Sequence, residues 1–355
     1  MIFIPLIIFL AILVFCIIKF NLNYQYAIVF AVIAVVITAA TICIDQSVRT
    51  SDTEVWSGYI TDWDHDEEYD ETVYDYDDKG NVKGSHTVHH DAENRIKTSD
   101  GGWISVSKAP NGKKFNDFWP NKASELKELW PEGTPTASTH TYKNKVQASY
   151  SIYRHKDIDL KQYKDLPKYP KEVYDKLYID RVVGEFPNEL AARKLLDKWN
   201  TELNKFIQDP EKPGKMRSWK QVNLIFVNVG SGKPIEYGYA LQDYWEGGNK
   251  NDFVVCVSME EDGRLNWVYP FSWSEVEILK LETRDYMMGK AIITDLCPIV
   301  EDISKLVADK FERKQFADYN YLQIDTSLAA IIVLYILIAV LSFFAICAAV
   351  SENNY

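Results

Sequence analysis

The sequence predicts a membrane-anchored α+β protein with three transmembrane helices, a β-rich module and an α/β sandwich on a small mixed sheet. Three observations predict it. Met1–Ile18, Ala27–Ile44 and Leu328–Val350 carry no charge, and each is long enough for a hydrocarbon core that takes roughly 17–25 helical residues. From about Gln46 to Leu160 the pattern is strand alternation broken by turn signals. From about Lys161 to Asn320 helical and strand periodicities alternate. The expected organisation is a two-helix transmembrane hairpin over 1–45, a β-rich acidic module over 46–160, an α/β domain over 161–320 and a C-terminal transmembrane helix over 327–350.

Charge separates these parts. The chain has 355 residues, with 39 Lys and Arg against 51 Asp and Glu. Apart from Lys19 and Glu352, every charged residue lies within Asp45–Thr326, where 38 bases face 50 acids. This distribution excludes a wholly soluble protein, a pure transporter and a nucleic-acid binder living on net positive charge.

The first apolar block lacks the basic n-region and small-residue cleavage site of a signal peptide, so it reads as a retained helix. Lys19–Tyr26 is short enough only for a tight helical hairpin, with Tyr24 and Tyr26 at the membrane interface. The last helix follows Asp325-Thr326-Ser327. Three spans put the N-terminus and the large domain on one side and the C-terminus on the other. Lys19 in the short turn favours an extracytoplasmic domain. Arg49, Lys310, Arg313 and Lys314 point the other way, but large domains translocate largely regardless of charge. No span carries an ionisable residue, so the helices read as anchors and the lipid bilayer as their partner. Cys256 lies in an apolar strand, where a free buried thiol is expected; a Cys256–Cys297 disulfide is the alternative.

In the β-rich module, Glu54–Ile60 reads as a strand. Thr72–Tyr76 and Asn81–His89 flank the turn Asp77-Asp78-Lys79-Gly80 as a hairpin. Ala123–Trp130 reads as a short helix stopped by Pro131 and Gly133, and Val146–Tyr153 alternates as a strand. From Asp52 to Asp78 there are 12 acidic residues and no Lys or Arg. Asp62, Asp64 and Asp66 alternate like the start of a calcium loop, which wants Gly at its sixth position and Glu at its twelfth. Those positions hold Glu67 and Val73; counted from Asp75, Gly80 fits but Lys79 and His86 do not. The expectation is a solvated acidic hairpin, with Asp62, Asp64 and Asp66 as candidates for weak calcium binding and no cofactor required. His86, His89 and His90 have no nearby Cys, and His89 and His90 would point to opposite faces of a strand, against a zinc site.

In the α/β region, Asn188–Gln208 has apolar residues at helical spacing, and Val222–Val229 and Asp252–Met259 read as buried strands. Pro234–Trp245 is a helix between them. Leu265–Phe271 is a third strand, Trp273–Met288 a helix with capping boxes at Ser272/Glu275 and Ser274/Glu277, and Pro298 opens the last helix. Gly230-Ser231-Gly232-Lys233 sits between strand and helix as a phosphate loop would, but Val227 and Pro234 stand where the motif needs Gly and Ser/Thr. Glu260, Glu261 and Asp262 before Gly263 form a carboxylate cluster at a turn, the second candidate for a cation and otherwise a solvated hairpin.

The order of these elements resembles the TPM domain family over roughly Tyr178–Gln315. The likeness rests on the helix Asn188–Gln208, the strand Val222–Val229, the segment Tyr237-Gly-Tyr-Ala-Leu-Gln-Asp-Tyr-Trp245, the segment from Gly248 to Val257, and Met288-Gly289-Lys290 before the last helix. The resemblance implies an α/β/α fold, commonly membrane-tethered and extracytoplasmic, with roles in assembling or repairing membrane complexes and, in some members, phosphatase-like or calcium-binding behaviour. Two segments depart from the family pattern: Arg264–Ser274 lacks its Gly-Tyr-Gly-Leu-Glu run, and Asn251-Asp252 replaces its Asn-Gly. Separately, Asp52-Thr-Glu-Val-Trp-Ser-Gly-Tyr59 is similar to uncharacterised membrane proteins of large tailed bacteriophages, without their cysteine-rich insert.

These readings converge on a non-enzymatic docking or assembly protein that presents an acidic domain to a membrane or virion protein, with self-association as a further option. The alternative is a cation-dependent phosphatase-like hydrolase using Glu260, Glu261 and Asp262. All ten Trp lie in the non-membrane part, and aromatics are enriched at interface cores.

Overall fold

The computed structural model describes residues 2–116, 119–149, 154–171, 173, 177–210 and 212–353. The chain begins with α1 (Ile4–Phe20) and α2 (Tyr24–Arg49), then β1 (Ser51–Asp66), β2 (Tyr69–Tyr76), β3 (Val82–His90), β4 (Glu93–Thr98) and β5 (Gly102–Ser105). There follow α3 (Ala123–Leu129), β6 (Pro135–Lys143), α4 (Lys145–Ala148), β7 (Val182–Val183), α5 (Glu189–Asn204), β8 (Phe206–Gln208) and β9 (Met216–Ser218). The last elements are β10 (Asn223–Asn228), α6 (Glu236–Tyr244), β11 (Asp252–Met259), β12 (Leu265–Ser272), α7 (Glu277–Met288), α8 (Cys297–Lys310) and α9 (Leu328–Asn353). Two compact units result, one of Met1–Asp52, Tyr142–Ile152 and Phe316–Tyr355, the other of Thr53–Thr141 and Tyr153–Gln315.

The first unit is a bundle of α1, α2 and α9 around Phe9, Leu13, Ala34, Leu334 and Ile338. The left-handed Asn21 (φ 55°) ends α1, and the Asn23 side chain opens α2 by accepting from the Gln25 N–H at 2.9 Å. At that end the Asn23 N–H also donates to Glu352 Oε2 at 2.9 Å. At the opposite end, the Ser327 N–H and hydroxyl donate to Asp45 at 3.0 and 2.5 Å. Tied at both ends in this way, α2 and α9 run antiparallel. The hydroxyls of Thr38, Thr41 and Ser342 donate to carbonyls four residues back at 2.7–2.8 Å, so these polar groups are satisfied within their own helices. Tyr24–Arg49 and Leu328–Glu352 are long and apolar enough to cross a membrane, and Ile4–Phe20 is a shorter apolar helix of 17 residues.

The second unit holds two four-stranded sheets. The first, ordered β5-β4-β1-β6, is a curled half-barrel. The second is ordered β12-β11-β10-β7, with β7, β10 and β11 parallel and β12 antiparallel. Alternation across this sheet sorts the side chains. Leu224, Phe226, Phe253 and Val255 face Leu196 of α5, Leu279 of α7 and Ile303 of α8. Ile225, Val227, Val254 and Cys256 face Leu241 and Trp245 at the end of α6. With helices on both faces, all eight residues of β11 are buried, as a doubly covered strand requires. The edge strand β7 has only two residues, leaving the start of β10 without a strand neighbour on that side. Asn200 and Asn204, one helical turn apart on α5, fill the gap: Asn200 accepts from the Leu224 N–H at 2.8 Å and donates to its carbonyl at 3.2 Å, and Asn204 donates to the Val222 carbonyl at 2.6 Å.

The half-barrel is fastened to the sandwich along β1. Glu54 pairs with Arg313 and Lys250, Val55 accepts from Asn251 at 2.7 Å, Ser57 accepts from Arg181 at 2.7 Å, and Gly58 accepts from Thr201 at 2.9 Å. Arg181 is itself buried, donating to Asn223 at 2.7 Å and Asp197 at 2.9 Å. Cys256 and Cys297 are both free thiols.

Several expected boundaries move. The strand read at Val146–Tyr153 begins instead as the helix α4, because Asn144 caps it by accepting from the Gln147 N–H at 3.1 Å; residues 150–153 lie outside the described ones. The long helix from Asn188 ends at Asn204, and Phe206–Gln208 pairs with Met216–Ser218 as a small hairpin. α7 starts at Glu277 rather than Trp273. The Ser272 and Ser274 hydroxyls accept from N–H groups two residues on, at 3.1 and 3.2 Å, making local turns instead of capping boxes.

Candidate functional site

The acidic run divides between two environments. Trp63–Asp66 pairs antiparallel with Glu93–Ile96 at the end of the half-barrel. There the Arg95 guanidinium gathers Asp64, Asp66 at 2.6 Å and Glu93 at 3.6 Å, while Asp62 accepts from the Trp63 N–H at 2.9 Å. The structure thus brings Asp64 and Asp66 together on a resident cation and leaves Asp62 apart from them. Arg95 lies outside the run of acids, which is why the run alone did not reveal it.

Beyond Asp66 the chain forms β2 and β3, a two-stranded sheet of its own. Its turn is built by Asp77, whose carboxylate accepts from the N–H groups of Lys79 and Asn81 at 2.9 and 2.8 Å, with Gly80 at φ +80°. These bonds hold the Asp77 carboxyl below its ordinary range, the Asn81 N–H contributing most. Three histidines face carboxylates across the ribbon: His89 to Asp70 at 2.8 Å, His90 to Glu71 at 3.0 Å and His86 to Asp75 at 3.4 Å. The bond to Asp70 raises the His89 imidazole above its usual value. Both faces of the ribbon are solvent-exposed along nearly their whole length. Tyr69, Tyr74 and Tyr76 stand 54–63% exposed, a high value for phenol rings.

The second carboxylate cluster lies at the β11–β12 turn. Glu260 accepts from the Ser231 hydroxyl, from Asn266 at 2.7 Å and from the Gly232 N–H at 3.2 Å. The Ser231 hydroxyl, first among these, depresses the Glu260 carboxyl. Gly230-Ser231-Gly232 therefore does hold an anion, and it is the chain's own Glu260. Lys233 turns away to Asp165 and Tyr237. Asp262 is taken by Arg264 at 2.8 Å, and Glu261 contributes no third ligand. Among the described residues no group of three or more His, Cys, Asp or Glu could hold a metal ion.

Two features escaped the sequence reading. His155 Nδ1 lies 2.7 Å from the buried Asp243, with its ring stacked on Tyr239; the 88-residue separation gives no sequence signal. The other is a groove of about 740 Å³ along α5, with Tyr59, Pro135, Leu195 and Trp199 in its lining and Lys194, Lys198 and Lys205 on its helical side. Lys205 pairs with Glu202 and Glu301 with Lys305, whereas Lys194 and Lys198 pair with no carboxylate among the described residues. Its signal in the sequence is the set of lysines at 194, 198 and 205 beside Leu195 and Trp199 on a helix whose aliphatic face is its stronger pattern.

Compared with known proteins, the chain matches no known family, no curated protein and no solved structure.

Proposed function

We propose that the chain is an integral membrane protein that works as a non-enzymatic docking or assembly platform, using the β2–β3 ribbon as its contact element. The observation that carries this reading is the ribbon itself: a two-stranded sheet outside both larger sheets, exposed on both faces and rich in acids and tyrosines. A lone two-stranded hairpin is at best marginally stable in water, and open edges with large exposed rings suit a surface that a partner completes.

The membrane reading is supported by the exposed surface of the bundle. Only 17% of the apolar window of α2 and 22% of that of α9 is buried, whereas the core helix of a soluble protein is mostly buried. Ile, Val, Leu and Phe cover the outside of all three helices, a surface that lipid solvates and water does not. α1, α2 and α9 would then be three spans, with the domain between α2 and α9 extracytoplasmic. The TPM-like reading of the sandwich is supported by the order α5, β10, α6, β11, β12, α7, α8, with the small β8–β9 hairpin inserted after α5, and by helices on both faces. The cation-dependent hydrolase loses ground because Glu260 and Asp262 are already engaged by their own neighbours.

The test is site-specific photocrosslinking in intact cells from a benzophenone amino acid at Tyr74, with a second probe at Lys212 as the control surface. The expected result is a discrete adduct from Tyr74 alone, lost when Asp75 and Asp78 are changed to Ser. Adducts from Lys212 with none from Tyr74 would reject the ribbon as the contact element.

A further inference from the structure

We propose that the β2–β3 ribbon docks into the lysine-bordered groove on α5 of a second copy of the chain. The proposal rests on the ribbon acting as a contact element, and it names the partner. Both halves of the contact are present on one molecule. The ribbon carries Asp70, Glu71, Asp75, Asp77 and Asp78 against Lys79 and Lys83, with His89, His90 and His86 facing the first three acids and Tyr74 and Tyr76 beside its tip. The groove offers the complement: Tyr59, Leu195 and Trp199 line it with Lys194 and Lys198, which pair with no carboxylate among the described residues, while its two acids, Glu202 and Glu301, are already paired with Lys205 and Lys305. Among the described residues no residue of the ribbon lines the groove of its own chain.

The chemistry matches in both components. Tyrosine rings on an aromatic floor bury area at little entropy cost, and phenols are favoured where one end is apolar and the other wet. Asp75 and Asp78 would meet Lys194 and Lys198, giving direction and register more than raw affinity. A basic partner could satisfy the ribbon and an acidic one the groove, but a second copy satisfies both at once. The contact joins two different surfaces and is therefore head-to-tail, so it grows into a closed ring or an open row according to the rotation between copies. Confinement in one bilayer would raise the effective concentration of each copy for the next.

The experiment uses the full chain in lipid nanodiscs and detergent, with stoichiometry read by mass photometry and light scattering. Asp75→Lys with Asp78→Lys reverses the ribbon; Lys194→Glu with Lys198→Glu reverses the groove. All four positions are exposed, and Asp77, which builds the turn, is left intact. Each reversal alone is expected to weaken self-association by about tenfold or more. Mixing the two variants, or combining all four changes in one chain, is expected to restore it. A disulfide between Asp78→Cys on one copy and Lys198→Cys on another would trap the same contact. A wild-type chain that stays monomeric, or association indifferent to both reversals, overturns the proposal. In that event an adduct from Tyr74 to a different protein would still uphold the docking reading, and the two failures are thereby separable. Unchanged tryptophan emission in each variant guards against misfolding as the cause.

Discussion

Glu54 carries a carboxylate only 2% exposed, with Arg313 at 2.8 Å and Lys250 at 3.1 Å. It lies on β1, and its partners belong to the sandwich, so its charge is one of the ties that fasten the half-barrel. Such a pair contributes little compared with a well-packed apolar substitute, because two or more ions had to leave water. Removing one partner is another matter. Glu54→Ala leaves two cations with their carboxylate gone, and a loss of about 3 kcal/mol is expected, the lower end for breaking a buried pair. Denaturant unfolding followed by tryptophan emission would measure it, and a loss under about 1 kcal/mol would class the pair with exposed ones. Glu54 stood in plain sight in the sequence as one of the 12 uncompensated acids, yet its role was hidden. Its cations come from positions 250 and 313, and only the fold brings them together.

The glycines of two tight turns show how much an element depends on its surroundings. Gly80 and Gly263 have nearly the same backbone, φ +80° and +85°. A Cβ on Gly80 would meet nothing within 4 Å, while one on Gly263 would strike the Ile293 carbonyl oxygen. Gly80→Ala should therefore cost only the left-handed penalty of about 1 kcal/mol, confined to the ribbon. Gly263→Ala must also push the backbone at Ile293, which donates its N–H to the Gly263 carbonyl at 2.8 Å. Hydrogen exchange is expected to show faster amides in β2 and β3 alone for Gly80→Ala. For Gly263→Ala the loss should spread into β12 and the start of α8; equal, local effects would contradict this. Local chemistry of this sort is what the sequence expressed best. The Asp-Asp-Lys-Gly turn and the continuous apolar run of β11 were legible because neighbours in the chain decide them. The strand expected at Val146 and the early start expected for α7 give way because the Asn144 cap and the side-chain turns at Ser272 and Ser274 override the apolar period. The partners of the candidate carboxylates were illegible for a related reason: Arg95, which holds Asp64 and Asp66, lies off the acidic motif, and Ser231 and Asn266, which hold Glu260, lie on other elements.

At the scale of the whole molecule, the decisive contrast is between the bundle and everything else. The net charge of −12 belongs to the chain between the helices, and the helices themselves present bare hydrocarbon. α2 and α9 are antiparallel, with Asn23 and Glu352 at one end and Asp45 and Ser327 at the other. The chain that joins the two helices leaves α2 and enters α9 at the Asp45–Ser327 end. A membrane crossing at α9 therefore separates Ser85, on the ribbon, from Ser351, near the far end of that helix. Cysteine labelling tests this directly. Cys297 is replaced by Ser first; Cys16 and Cys256 are buried, and Cys43 and Cys347 would face lipid, where a charged maleimide does not reach. In intact cells Ser85→Cys is expected to react with the impermeant reagent, and Ser351→Cys only after permeabilisation. The reverse pattern would keep the span and invert the orientation, in line with Arg49, Lys310, Arg313 and Lys314 rather than Lys19. Equal labelling of both sites in intact cells would remove the span at α9, and the docking platform would lose its membrane.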